Sequence, residues 1–329
     1  MKKAAAIFLI LIIISASLIR FVTFLQPVER NSDKVYPVNI DYGSTSKDVA
    51  NLLHKKNIIR SPFAFNVVAN ILGYDNKLRA GYYEISPENN ILEVIDIIKK
   101  GRVKTVKVSI PEGSTLKEII HRFAEKTIYT KDDFLKSAKN INIQKSYFPK
   151  QFDNIKFKLE GYLYPDTYRI EKKSKPSQIY NLMLKEFEKK WLAKLKEKAE
   201  DSKFSISELV TIASIVEKEA KLVKEMPTIA GVIYNRLEKN KKLQIDATVQ
   251  YVLPLRKERL LYSDLEFESK YNTYLYQGLP PGPISNPGSN SLEAVLKPDK
   301  NDYLFYFAKK DGSHVFSKTY QEHLRKQNN

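Results

Sequence analysis

The sequence predicts an α+β protein: an N-terminal membrane helix, a region of small strand-and-helix units, and a larger mixed α+β domain. Three observations predict it. An apolar stretch runs from Ala4, a strand–turn–helix pattern recurs at a fixed offset, and amphipathic helices beyond it alternate with aromatic, proline-rich turns. The boundaries fall at 1–25 for a cytoplasmic tail and anchor, 26–34 for a linker, 35–150 for the small units and 151–329 for the large domain.

Composition narrows the function classes. Hydrophobic residues make up 43% of the 329, enough to build cores and to argue against disorder. The absence of cysteine excludes disulfides, thiol nucleophiles and cysteine-ligated zinc. His54, His121, His314 and His323 show no metal-ligand spacing, so no metal or other cofactor is expected. The net charge of +17 admits nucleic acid, an anionic membrane or an acidic polymer as partner. Its lysines, however, are interleaved with glutamates, as from Glu186 to Glu200, which reads first as solvated helix faces.

The N-terminus decides the compartment. Met1-Lys2-Lys3 precedes apolar sequence from Ala4 to Ile19, then Arg20 and Phe21 to Leu25. About twenty helical residues cross a hydrocarbon core. Lys2 and Lys3 hold the N-terminus in the cytoplasm and export the rest, and Arg20 can snorkel to the interface. Ser15-Ala16-Ser17 leaves a cleavable signal peptide as the alternative. Either way the body is extracytoplasmic, which weakens a nucleic-acid role.

After the polar stretch Asn31 to Lys34 comes a weak internal repeat. Val38 to Thr45 and Val108 to Thr115 correspond position by position, each a strand turning at glycine (Gly43, Gly113) with Ser or Thr as helix N-cap. Gly81 to Ile85 reads as a strand. Ile91, Val94, Ile95 and Ile98 mark a helix, capped by Asn90 with Glu93 and ending at Lys99-Lys100-Gly101. Ser177 to Lys203 reads as one long amphipathic helix whose stripe, Ile179 to Leu195, makes core contacts.

Ser207 to Ala220 is apolar almost all round, with Ser207 as candidate N-cap, so a buried helix is expected. Two carboxylates within it are unexpected, because an unpaired buried charge is costly. Projection at 100° per residue puts Ser207, Thr211, Ser214, Lys218 and Lys221 on one side, with Glu217 at its border. Glu219 falls beside Ile212 and Ile215, an apolar wall that raises a carboxyl towards the general-acid range. The alternative is that both glutamates pair with Lys218, Lys221 and Lys224 at the surface. Pro227 bounds this helix or the next. Downstream, Asn235, Gln244, Asp246, Tyr251, Tyr271 and Asn272 offer the amides, carboxylate and rings that bind sugars. For Asp246 a structural Asx-turn is an equal alternative. Gly278 to Gly288, rich in proline, reads as a stiff wall.

At these residues the sequence resembles a known family. ASIVEKEA, IYNRL, LQIDATVQY, YNTY, GLPPGPISNPG, GSHVF and the earlier EGYLYPDTY are similar to the motifs of the YceG-like endolytic murein transglycosylases. The small units resemble LysM-like modules of cell-wall proteins. The resemblance implies a lytic transglycosylase catalytic domain at 151–329, held at the cytoplasmic membrane by a single pass and facing the periplasm. It implies cleavage of the β-1,4 bond between N-acetylmuramic acid and N-acetylglucosamine in nascent glycan strands, leaving 1,6-anhydro ends. Glu219 is the implied catalytic residue; Asn235, Gln244, Asp246, Tyr251, Tyr271 and Asn272 are candidates for the substrate groove. Partners are peptidoglycan strands, the membrane and peptidoglycan synthases, and not nucleic acid. Ala247 departs from the proline expected in many relatives. The alternative function is a non-catalytic scaffold that binds wall or synthase.

Overall fold

A computed structural model describes residues 2–41, 43–74, 78–101, 105–141 and 155–328, with side chains from residue 7 onward. Tyr42 of the first repeat copy, the Lys2 and Lys3 side chains and the boundary expected at 150 lie outside the described residues. The chain divides into two compact units: Met1–Val106 with Arg169–Lys173, and Lys107–Tyr168 with Ser174–Asn329.

The first unit begins with α1 (Lys2–Leu25), which is followed by β1 (Tyr36–Ile40), α2 (Ser46–Lys55), α3 (Pro62–Ile71), β2 (Gly81–Ile85) and α4 (Ile91–Lys99). Within α1, Ile7–Leu25 is long and apolar enough to cross a membrane. β1 and β2 pair antiparallel, Tyr36 opposite Ile85 and Ile40 opposite Gly81. Strand alternation turns Val38, Ile40, Tyr83 and Ile85 inward, where Leu53, Phe65, Val94 and Ile98 meet them. The caps are those the sequence offers: Thr45 forms a capping box with Asp48, and Asn90 one with Glu93. Within residues 26–34, the expected linker, two positions bond back to this unit. The N–H groups of Val28 and Glu29 both donate to the Pro87 carbonyl, at 3.0 and 3.2 Å.

Next come β3 (Thr105–Ser109), α5 (Leu116–Ala124), α6 (Lys131–Asn140) and β4 (Thr167–Glu171), with β3 paired to β4. Strand, two helices and strand thus recur in the order of the first unit, and Thr115 caps α5 through a box with Glu118 as Thr45 caps α2.

The remainder of the second unit is helical: α7 (Pro176–Phe187), α8 (Ala193–Glu200), α9 (Ile206–Glu219), α10 (Met226–Glu238), α11 (Asp246–Val252), α12 (Tyr262–Leu265) and α13 (Ser289–Leu296), then the hairpin β5 (Phe305–Ala308) and β6 (His314–Ser317), and α14 (Tyr320–Gln327). The helix expected over 177–203 is interrupted by a π-helical turn at Glu188–Leu192 and ends at Glu200. The wide turn adds a residue between two buried stretches and lets both Trp191 and Leu195 face inward. α9 is the centre of this unit, packed by α8, α10, α11 and α13, and every residue from Leu209 to Val216 is buried. Its N-cap is Ser205, not Ser207: Ser205 accepts from the Glu208 N–H and Glu208 returns the bond. Ser207 is instead a buried first-turn residue.

Candidate active site

The polar side of α9 does not face water. Ser214 Oγ accepts from the Ile284 N–H at 3.0 Å, and its carbonyl accepts from Ser285 Oγ at 3.2 Å, so the proline-rich loop lies on this helix. Glu217 belongs to the same seam. One of its oxygens accepts from the Gly288 N–H at 3.0 Å and from Ser291 Oγ at 2.7 Å. Burial raises its pKa, partly offset by those two donors. Lys218 donates to the Gly113 carbonyl at 3.2 Å.

Glu219, the last residue of α9, turns away from that seam. Its Oε2 accepts from the Tyr306 hydroxyl at 2.9 Å, and the Ala247 N–H bonds to the same carboxyl. Burial pushes the carboxyl above its ordinary range and nearby Asp246 adds to this, while Tyr306, His314 and the Ala247 N–H oppose it. A position at the helix C-terminus, where carbonyl dipoles point, also disfavours the anion. Lysine pairs at the surface, the alternative open from sequence, are thus replaced by buried partners for both glutamates.

Three elements hold the groups around Glu219. The β5–β6 hairpin brings Tyr306 and His314, whose rings meet edge to face with centroids 5.5 Å apart. His314 Nδ1 lies 2.8 Å from Glu225 Oε2, and its backbone N–H donates to the same carboxylate. At the start of α11, Asp246 accepts from the Tyr274 hydroxyl at 2.6 Å; this bond fixes the side chain that faces Glu219. Arg236 bridges the rest. It donates to the carbonyls of Leu304, Lys242 and Leu243, reaches Gln244 Oε1 at 3.4 Å, and lies 5.1 Å over the Phe305 ring.

Of the residues singled out from sequence, Glu219, Asp246 and Gln244 therefore share one site. Asn235 does not join them: its amide donates to the carbonyls of Asn301 and Tyr303 at 2.8 and 3.0 Å, clamping the turn before β5. Asn272 is fully buried and donates to the carbonyls of Leu265 and Phe267, so no face of it is open to a glycan.

Tyr251 and Tyr271 stand in a second cluster, rings 5.1 Å apart. Its centre is Glu160, which sequence reasoning passed over within EGYLYPDTY. Glu160 is 1% exposed, and accepts from the Leu116 N–H at 2.8 Å, Asn286 Nδ2 at 2.9 Å and Tyr251 OH at 3.0 Å. Burial pushes its pKa up to about 8. Asn286 in turn accepts from the N–H groups of Gly161 and Leu163 and donates to the Ser114 carbonyl. One amide thus rivets three chain segments in the core of this unit.

Two cavities of about 580 and 520 Å³ open on the second unit, the first along Pro111–Glu125 with Lys218, the second between Phe204, Tyr234 and Asp299–Asp302. Neither is lined by Glu219. Among the described residues no group of three or more acidic, histidine or cysteine side chains is placed to hold a metal ion.

A carboxyl that is half-buried, raised above its ordinary range and held by a phenol is suited to donating a proton and taking one back. Comparison with known proteins gives this arrangement a context. The model of the YceG-like family matches residues 38–329. The endolytic murein transglycosylase of Bacillus subtilis (strain 168) is 36% identical over 312 residues, 92% of this chain and 86% of that protein. The endolytic murein transglycosylase of Streptococcus pneumoniae serotype 2 (strain D39) is 26% identical over 328 residues, and the match spans 59% of that longer protein. Among solved structures, a YceG-like protein from Listeria monocytogenes aligns with a TM-score of 0.61 at 37% identity, over 89% of this chain and 99% of that one.

Proposed function

We propose, for a chain that belongs to the YceG-like family and is a lytic transglycosylase of peptidoglycan, that Glu219 is its sole acid–base catalyst. The bond cut is the β-1,4 link between N-acetylmuramic acid and N-acetylglucosamine. Glu219 first gives its proton to the glycosidic oxygen as the C1–O bond breaks. The carboxylate then takes the proton of the muramoyl C6 hydroxyl while that oxygen bonds to C1. A 1,6-anhydro end forms, no water is consumed, and the acid is regenerated. Because the nucleophile belongs to the substrate, a second catalytic carboxylate is not required, unlike in paired-carboxylate glycosidases.

The observation that carries this reading is the withdrawal of the Glu219 carboxyl from water, which raises its pKa above that of an exposed glutamate while the Tyr306 hydroxyl holds it in place and partly offsets the rise. In this reading Asp246 and Gln244 meet substrate hydroxyls beside it, which their bonds to Tyr274 and Arg236 near Glu219 support. The catalytic domain is the region 151–329, which contains all of these groups. The strand–helix–helix–strand order at residues 36–85 and 105–171 supports a LysM-like reading of the units before it. α1 is the single-pass anchor, with the body periplasmic and Lys2 and Lys3 inside. Anchored there, the enzyme meets glycan as it emerges from peptidoglycan synthases, and terminates or releases the strand.

The test is to incubate the full chain in detergent with uncrosslinked glycan strands and identify the new ends by mass spectrometry. Expected are 1,6-anhydro ends with wild type and none with Glu219→Gln. Reducing muramoyl ends would make the reaction a hydrolysis. Binding without cleavage by wild type would favour a scaffold.

A further inference from the structure

The first unit contains an apolar helix that its own core does not use up. α3 turns Ala64, Phe65, Val68 and Ala69 inward, yet Phe63 and Ile71 are 70% and 78% exposed. Phe63, Val67 and Ile71 follow at four-residue spacing and so share one side of the helix. Leu72, just beyond it, is 43% exposed. Single apolar residues on a surface are ordinary, whereas a contiguous stripe marks a contact surface.

The neighbour of this stripe identifies the contact. α3 packs directly against α1, and Phe21, Phe24 and Leu25 at the end of α1 rest on the core of the same unit. The chain leaving α1 is pinned beside α3. Arg60 donates from Nε to the Pro27 carbonyl at 2.8 Å and from a terminal nitrogen to the Val28 carbonyl at 3.3 Å. There is accordingly no slack between the apolar span and the helix with the exposed stripe. Side chains of the span itself, Ile7 to Ile14, are all about half exposed or more, so an uncovered apolar surface runs along α1 to the helix that carries the stripe.

Resting on the reading of α1 as a membrane span, we propose that the Phe63–Val67–Ile71 side of α3 is seated in the headgroup–acyl boundary of the bilayer. The occupant is lipid, because the patch continues a surface that already faces lipid. Asn70, exposed beside its apolar positions, suits a depth where headgroups and water still reach. The first unit is then fixed on the membrane surface at two places, one crossing and one lying on it.

The chain has no cysteine, so an introduced thiol carries a nitroxide at one chosen position. Full-length Phe63→Cys and Ile71→Cys are labelled, reconstituted in phosphatidylethanolamine–phosphatidylglycerol liposomes, and compared with Ile12→Cys in α1 and Lys47→Cys on the exposed side of α2. Spin relaxation by oxygen, enriched in lipid, is measured against relaxation by a water-soluble nickel chelate. The expected oxygen-to-nickel ratio at positions 63 and 71 is severalfold above that at 47 and approaches that at 12. Ratios at 63 and 71 equal to that at 47, with 12 reading lipid, would overturn the proposal and leave the anchor standing. A water-like ratio at 12 would overturn the anchor and the seated helix together.

Discussion

Tyr306 and Glu219, 87 residues apart, share a 2.9 Å hydrogen bond in which the phenol donates to the carboxylate. The bond favours the ionised form and so holds the Glu219 pKa below the level that burial alone would set. Tyr306→Phe removes it. A hydrogen bond to the charged form favours that form, so its loss raises the pKa. A general acid is lost as pH rises through its pKa. The descending limb of the pH–rate profile should therefore move to higher pH. A limb that stays in place, or moves down, would remove Glu219 from the role of acid.

Ala247 offers an independent handle on the same carboxyl. Its N–H bonds to Glu219, and it is the second residue of α11, where proline is compatible with a helix start. Ala247→Pro deletes that donor alone. The limb should again move to higher pH, by less than with Tyr306→Phe, while thermal unfolding stays within a few degrees of wild type. An equal shift in melting and in pH profile would mean the loop, not the carboxyl, had changed.

Two glutamates separated by one residue should respond in opposite ways. Glu219→Gln keeps an acceptor for Tyr306 but cannot exchange a proton. Turnover should fall at least about 100-fold with the melting temperature unchanged. Glu217→Ala leaves the buried Gly288 N–H without its acceptor and Ser291 Oγ with the Gly288 carbonyl alone, at a cost of about 2 kcal/mol in stability. Calorimetry on both variants, beside their rates, separates chemistry from support. Loss of stability in Glu219→Gln would count against the division.

Glu160 predicts a pH dependence of stability. Its pKa is about 8 folded against 4.5 for an unperturbed glutamate. Below about 4.5 both states hold the proton and folding bears no cost from this group. Between 4.5 and 8 the unfolded chain releases a proton that the folded chain keeps, so stability from this residue declines as pH rises, and levels off above 8. Glu160→Gln removes the effect. The melting temperature of the variant relative to wild type should climb steadily from pH 5 to pH 8. A difference that stays flat over that window would show that Glu160 ionises without cost.

Local pattern carried much of this into view. The boxes at Thr45 and Asn90 depend on residues three apart, and the apolar setting of Glu219 depends on one helix period. Partners supplied by distant segments were not visible. Nothing near Tyr306 marks it as the donor to Glu219, and nothing in Asn235 or Asn272 tells an amide for substrate from one spent on loop carbonyls. Glu160 was hidden for the same reason, since its burial arises from Leu116, Tyr251 and Asn286 together. The Ser205 cap was missed because Ser207 is equally suitable by type; only the reciprocal Glu208 three residues on distinguishes it.

The placement of Tyr306 on the β5–β6 hairpin has a consequence for biogenesis. A polypeptide is made in order, so α1 comes first, the α9 carboxyl much later, and the hairpin later still. Until that hairpin closes, Glu219 has neither the Tyr306 hydroxyl nor the neighbouring His314, so the surroundings of the carboxyl are completed by one of the last segments of the chain to be made.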